Sequence, residues 1–269
     1  MTSTTSPAAG SLAGRVALVS GGATDLGWGV VHRLRAAGAQ VAVADIDADR
    51  GKALAETNAG IIFVETDLTD DASLTAAVST TVGTFGGIDI LVNLACSYLD
   101  EGAATTRSQW LAALDVNLVS AVMLSETVRP QLKARGGGAI INFGSISSKI
   151  AQTGRWVYPA SKAAVVQVTR SMAMDYAADG IRVNSVSPGW TWSKIMRELS
   201  GDDRAKTDAV AAPFHLNGRV GDPDEVGNVI TFLASDLASG VTGADWAVDG
   251  GYSAMGPERA APAIPLLAE

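Results

Sequence analysis

Cysteine is almost missing. Cys96 stands alone in 269 residues, so no intrachain disulfide can form, and a reducing cytoplasm is the expected setting. Histidine is nearly as scarce, with His32 and His215 only, which leaves no ligand set for a structural zinc; no metal is expected. Consecutive apolar runs fall short of the roughly 18 residues that read as a bilayer span, and the Thr/Ser/Pro/Ala-rich start lacks the basic patch and apolar stretch of a signal peptide. No membrane association is therefore expected. Lys and Arg do not cluster, and a net charge of −8 argues against a nucleic-acid partner, since phosphate binding needs concentrated positive charge.

What is abundant is apolar residues, at 47%, with 29 glycines, a composition that supports one sizeable core. Short β-branched runs at 15–19, 40–44, 61–64, 88–92, 139–143, 181–186 and 245–248 alternate with helical stretches, the first over about 29–37. Near-continuous apolar strands of this kind belong to a sheet covered on both faces. The predicted architecture is a single Rossmann-like, doubly wound parallel sheet over 12–256, flanked by a flexible tail at 1–11 and a second tail at 257–269. The stretch 188–222 breaks the alternation. It reads as a substrate lid with one short helix at 194–199, or, more plainly, as a surface excursion.

Ser20-Gly-Gly-Ala-Thr-Asp-Leu-Gly-Trp-Gly29 follows the first strand and opens a helix. Glycines allow the tight turn and let backbone N–H groups approach a pyrophosphate at the helix's positive end. The expected contacts are Gly21, Thr24, Asp25, Leu26 and Gly27. Asp45 closes the second strand, 18 residues after Gly27, where a carboxylate can accept both hydroxyl hydrogens of an adenosine ribose. It repels a 2′-phosphate, and its neighbour is Ile46 rather than Arg or Lys. That pattern favours NAD over NADP, although an aspartate at a strand end is also an ordinary turn residue.

Tyr158-Pro-Ala-Ser-Lys162 places a phenol and an ammonium four residues apart, on one face of a helix that must begin near Tyr158 to tolerate Pro159. A free phenol, with a pKa of about 10, is a poor base at neutral pH. A nearby ammonium favours the phenolate, and an oxidised nicotinamide adds to that effect; about 4 kcal/mol of differential stabilisation would bring the phenol into the neutral range. Ser145 lies 13 residues upstream, at the end of the fifth strand. It can donate to a substrate oxygen as charge develops there.

These features resemble the short-chain dehydrogenase/reductase family. The Tyr-x-x-x-Lys motif, the Ser145 spacing, Asn117 within Asp-Val-Asn-Leu, and the later segments Gly218-Arg-Val-Gly-Asp-Pro-Asp-Glu-Val226 and Val248-Asp-Gly-Gly251 carry the resemblance, which runs from about 14 to 251. It implies an Asn117, Ser145, Tyr158, Lys162 catalytic set and hydride exchange between a nicotinamide and a secondary alcohol or ketone. Tyr158 takes or gives the hydroxyl proton, Lys162 binds the nicotinamide ribose, and Asn117 holds a relaying water. The resemblance carries further cofactor contacts onto Asp67 and Leu68 after the third strand, and onto Asn93 and Ala95 in Asn93-Leu-Ala-Cys96, where Leu94 and Cys96 depart from the family's usual Asn-Asn-Ala-Gly. It adds Pro188, Gly189, Thr191 and Ser193. Homodimers or homotetramers are implied, with the Tyr158 helix as one contact.

Asp25 departs from the family's Gly-x-x-x-Gly-x-Gly, standing at its middle glycine. The expectation is that its carboxylate caps the helix and points away from the pyrophosphate. A dinucleotide-binding regulator without turnover is the competing class. Tyr98, Trp156, Trp190 and Trp192 are expected around the substrate, which suits a cyclic or aromatic apolar alcohol or ketone; sugars or polyols are the alternative, and the plainer reading is that two of these tryptophans simply pack the lid.

Overall fold

Strands that bury both faces need helices above and below, and the chain supplies them in alternation. In a computed structural model describing residues 10–256, β1 (Val16–Ser20), β2 (Gln40–Asp45), β3 (Ile61–Glu65), β4 (Ile90–Asn93), β5 (Gly138–Phe143), β6 (Ile181–Pro188) and β7 (Asp245–Val248) form one sheet in the order β3-β2-β1-β4-β5-β6-β7. Every pairing is parallel. The tail expected at 257–269 lies outside the described residues, as does all of 1–11 except Gly10 and Ser11.

The side-chain alternation of β1 shows how the two layers form. Ala17 and Val19 face a core shared with α1 (Asp25–Ala36) and α9 (Pro223–Ala234), whereas Leu18 faces α3 (Asp71–Phe85), α5 (Ser120–Ala134) and α6 (Val157–Asp175). The remaining helices are α2 (Ala48–Thr57), α4 (Arg107–Leu114), α7 (Lys194–Ser200) and α8 (Arg204–Ala211). Chain order reverses between β1 and β4, and the crevice beyond the carboxyl ends of those strands is where open parallel sheets bind ligands.

Helix α1 begins at Asp25, earlier than the glycines led one to expect, because the Thr24 hydroxyl caps it by accepting the Gly27 N–H at 3.0 Å. Gly27 and Gly29 thus lie inside the helix, where close approach demands them. A Cβ on Gly27 would stand 2.2 Å from the Gly21 carbonyl oxygen, and one on Gly29 2.4 Å from Pro223 Cβ of α9. The stretch 188–222 is also more ordered than predicted. Its first residue ends β6, and it carries α8 as well as α7.

Between α4 and α5 the helix widens over Asp115–Val119, with the Ser120 N–H reaching back to the Asp115 carbonyl. The whole of Arg107–Ala134 is long and apolar enough to cross a membrane by length and composition, although its apolar residues are interspersed rather than consecutive. In this fold it lies against α3, α6, β4 and β5, which accounts for its buried apolar side. Leu111, Val119 and Met123 remain exposed on it.

Candidate active site

The sheet's carboxyl edge and the lid enclose two cavities. The first, about 280 Å³, is lined by Gly21, Thr24, Asp45, Ile46, Asp67, Leu68 and Ala95, together with Ala44, Thr66, Thr69, Cys96 and Val116. Gly21 has φ +72, and a Cβ there would stand 2.7 Å from Ala95 Cα, so this wall requires bare backbone. Asp45 binds the turn itself: one oxygen accepts the Ala23 N–H at 2.9 Å and the other the Asp47 N–H at 3.1 Å. Each oxygen keeps a lone pair for a ribose hydroxyl. Asp67 is held below the usual carboxylate range by the backbone N–H and hydroxyl of Thr69. A glycine turn without room for side chains, a helix N-terminus and a carboxylate at the second strand's end together fit the adenosine and pyrophosphate of a dinucleotide.

Asn93 is elsewhere. Its amide donates to the Ala121 carbonyl, the Ser125 hydroxyl and Asn142 Oδ1, ties that brace β4 against β5 and α5, and it does not line the cavity.

Asp25 does not cap α1, since Thr24 already does. Its carboxylate instead takes Arg50 of α2 and Arg197 of α7, the latter at 2.5 Å. Burial alone would raise its pKa, but the two guanidiniums hold it below the ordinary carboxylate value. The residue that breaks the glycine pattern therefore ties the lid to the phosphate turn.

The second cavity, about 530 Å³, contains Ser145 and Tyr158. Tyr158 sits in the first turn of α6, and that turn is fixed by a residue with no motif to announce it. The Asp100 carboxylate accepts the N–H groups of Trp156, Tyr158 (2.8 Å) and Gly102 (3.0 Å). Burial pushes Asp100 up, but these donors and nearby Arg155 outweigh it and leave its pKa lowered. The only sequence signal was an acidic residue in the loop after β4, too common to single out.

Ser145 is buried just beyond the end of β5; its oxygen accepts the Ser147 N–H at 3.1 Å and its hydroxyl donates to Ser147 Oγ at 3.3 Å, with Tyr158 in the same cavity wall. Lys162, one turn after Tyr158, is fully buried and donates from Nζ to the Phe143 carbonyl at 2.9 Å, with Nζ 5.6 Å from the Tyr158 ring centre. Asn117 lies in the widened turn. Its amide pairs with Ser97 in both directions (2.6 and 3.0 Å) and donates to Ser161 at 3.2 Å, bracing the loop after β4 rather than touching Lys162. The set expected from sequence converges, except that Asn117 reaches Tyr158 only through Ser161, whose hydroxyl donates to the Tyr158 carbonyl.

The electrostatics add what the motif does not carry. Burial pushes Tyr158 up to about 12, with Cys96 adding to the rise while hydrogen bonds from Ser145 and Tyr98 oppose it; burial also lowers the Lys162 ammonium. Burial is the largest cause of the Tyr158 rise, and the Arg155 guanidinium acts against it.

Of the expected aromatic wall, Tyr98 and Trp190 line this cavity, Tyr98 stacking on Tyr158 with centroids 5.0 Å apart. Trp156 is exposed, and Trp192 lies under Arg204; neither is in the lining. Trp190 also packs on Phe214 and His215. Gly189 and Ser193 face the cavity, whereas Pro188 closes β6 and the buried Thr191 hydroxyl donates to the Gly189 carbonyl. Leu26 packs at the edge of the α1 core. Much of the remaining lining, Ile195, Met196, Leu199 and Ser200 of α7 and Lys206, Thr207 and Val210 of α8, had no motif to identify it.

Comparison with known families matches residues 21–253 to the family described as Enoyl-(Acyl carrier protein) reductase. Among individual proteins, the chain is 36% identical over 252 residues to cis-4-hydroxycyclohexanecarboxylate dehydrogenase of Sinomonas cyclohexanicum, covering 91% of this chain and 99% of that one. It is 38% identical over 247 residues to 3-alpha-(or 20-beta)-hydroxysteroid dehydrogenase of Mycobacterium bovis, covering 90% of each. With L-fucose dehydrogenase of Oryctolagus cuniculus it shares 36% over 255 residues, 92% of this chain and 88% of the relative.

Proposed function

The chain belongs to the short-chain dehydrogenase/reductase family, whose dehydrogenases use a nicotinamide cofactor, and on that premise we propose that it moves hydride between NAD and a cyclic, largely apolar secondary alcohol or its ketone. The observation that carries this reading is a single cavity in which Ser145 and Tyr158 meet an apolar lid, with buried Lys162 behind them. Relatives named for cyclohexane, steroid and sugar alcohols support a ring-bearing substrate.

When bound, the nicotinamide supplies the hydride acceptor or donor and, in its oxidised form, a positive charge. Ser145 donates a hydrogen bond to the substrate oxygen, and Tyr158 Oη accepts the alcohol's proton in oxidation or returns it in reduction. Lys162, anchored on the Phe143 carbonyl, keeps a cation behind that phenol, while Asp100 and Asn117 hold its helix and loop in place. NAD is favoured over NADP because Asp45 places a carboxylate in the lining of the cavity beside the glycine turn, where no Arg or Lys stands, while Arg50 is engaged by Asp25. The exposed Leu111, Val119 and Met123 of the long helix and Met174 of α6 offer an apolar surface for a second copy of the chain; Val166 on α6 points inward instead.

The test is reduction of NAD+ and NADP+ with cyclic secondary alcohols, sugars and an enoyl thioester as counter-substrate. Turnover of cyclic alcohols with NAD+ supports the proposal. Binding of NADH with no turnover of any alcohol would favour a regulator, and preference for the enoyl thioester would overturn the reaction class.

A further inference from the structure

The net charge is −8, yet no Asp or Glu lines the substrate cavity, and two cations do: Arg155, in the loop before α6, and Lys206, on α8 of the lid. Their freedom from partners is selective. In the lid, Lys194 pairs with Glu198, Arg197 with Asp25, Arg204 with Asp208 and Asp222, and Arg219 with Glu225. Lys149, in the segment after β5, pairs with Asp245. Among the described residues Lys206 makes no side-chain ion pair, and it alone of the lid's basic residues lines the cavity. Arg155 has no ion pair either; its guanidinium lies 5.9 Å from the Tyr98 ring centre. Asp100, whose pKa its charge helps to lower, already accepts three backbone N–H groups.

The position of these charges is informative. The Arg155 guanidinium lies over Tyr98, and Tyr98 stacks on Tyr158. Lys206, on α8, lines the same cavity from the lid. Ile146, Ile195, Met196, Leu199 and Val210 line the same cavity, an apolar surface that suits the body of a ring. An apolar interior with oxygen-directed donors at one end and two unpaired cations at its exposed rim matches a molecule with a carbinol at one end and an anion at the other.

We infer that the substrate carries a carboxylate remote from its reacting hydroxyl, and that Arg155 and Lys206 receive it. Carboxylate is favoured over phosphate because the N-terminus of α8 is already capped by Asp203, which accepts the Lys206 N–H at 2.9 Å, leaving side-chain charges as the donors rather than a nest of backbone N–H groups. Both cations are exposed, so solvent screens them; together they should favour a carboxylate over an isosteric neutral group by about tenfold. Because the chain is acidic elsewhere, this selectivity should fade as salt is added.

The inference rests on the proposed function in that both place the substrate in one cavity, and the test separates the two. Affinities of cyclohexanecarboxylate and cyclohexanecarboxamide for the NADH-bound protein are measured by calorimetry, which requires no turnover. Alongside, kcat/KM is measured for a hydroxycyclohexanecarboxylate and its carboxamide. Wild type should prefer the carboxylate about tenfold in both assays. Lys206→Gln and Arg155→Gln should each lower that ratio, the double variant should bring it near one, and Lys206→Arg should restore it. Charge preference in binding without oxidation of any alcohol would uphold this inference and defeat the oxidoreductase reading. Equal binding of acid and amide by wild type, or a ratio unchanged in the double variant, would overturn the inference whatever the activity.

Discussion

The cavity beside the glycine turn takes its walls from the ends of β1, β2, β3 and β4 and the loops leaving them, whereas the cavity holding Ser145 takes more than half of its lining from the lid. The first is set by the hydrogen-bond register of neighbouring strands: Ser20 pairs with Ala44 on one side and Asn93 on the other, so the turns that follow are held at fixed spacing. The second depends on two short helices anchored by ion pairs and aromatic packing. A wall built from strand ends constrains which residues may occupy it; a wall built from a lid can change its residues with the substrate. Tyr158 stands at the junction, and Asp25 spans it.

The largest effect should come at the junction. Tyr158→Phe should lower kcat by about a thousandfold while NADH affinity changes by less than tenfold, checked by steady-state kinetics and fluorescence titration. A loss confined to cofactor affinity would move the chemistry elsewhere. On the strand side alone, Asp45→Ala should reduce the preference for NAD over NADP by roughly thirtyfold, the worth of about 2 kcal/mol of charged hydrogen bonds, with little change in the ranking of alcohols. An altered alcohol ranking would break the separation of the two regions.

Asp25→Asn tests the link between them. With Arg197 loosened, hydrogen exchange in α7 should rise and KM for the alcohol should increase about threefold, as for a partly screened ion pair. Unchanged exchange in α7, or a gain in NADH affinity above about a hundredfold, would show that Asp25 acts on the cofactor and not on the lid.

The smallest effect is expected at Asp100. Losing its helix-terminus hydrogen bonds in Asp100→Ala should cost about 1 kcal/mol and lower Tm by about 3 °C. Its folded pKa lies below the ordinary 3.8, so its contribution is fully present above that value and is lost as pH falls through the folded one. The melting temperature of wild type should therefore drop more steeply in that acid range than that of Asp100→Asn; parallel curves would remove Asp100 from the account.

This contrast also explains what could be read from the chain in advance. Strand order, both layers and the glycine turn follow from periodicity and from glycines whose absent side chains are needed, and Ser145, Tyr158 and Lys162 follow from spacing. Asn93 was misread because a buried amide bridging β4 to α5 occupies the same position as a cofactor contact; only its partners distinguish them. Asp25 was misassigned because its partners lie 25 and 172 residues away, beyond any local pattern. Trp156 and Trp192 were expected in the cavity because tryptophans near a mouth suggest walls, but whether a ring turns inward depends on lid packing that no periodicity encodes. That burial pushes the phenol up was not legible, because burial is a property of the whole fold, while the motif shows only the neighbouring charge.

The widened turn at Asp115–Val119 has a geometric consequence. Successive residues of an α-helix are offset by about 100°, and a widened turn inserts roughly one residue into that progression. It acts as a phase shifter: α4 and α5 share one axis but present differently rotated faces, the first toward α6 and the second toward β4, β5 and α3. Deleting a single residue there would bring the two halves back into phase. Asn117 would swing by more than a quarter turn, leaving the Ser97 backbone groups it now pairs without a partner.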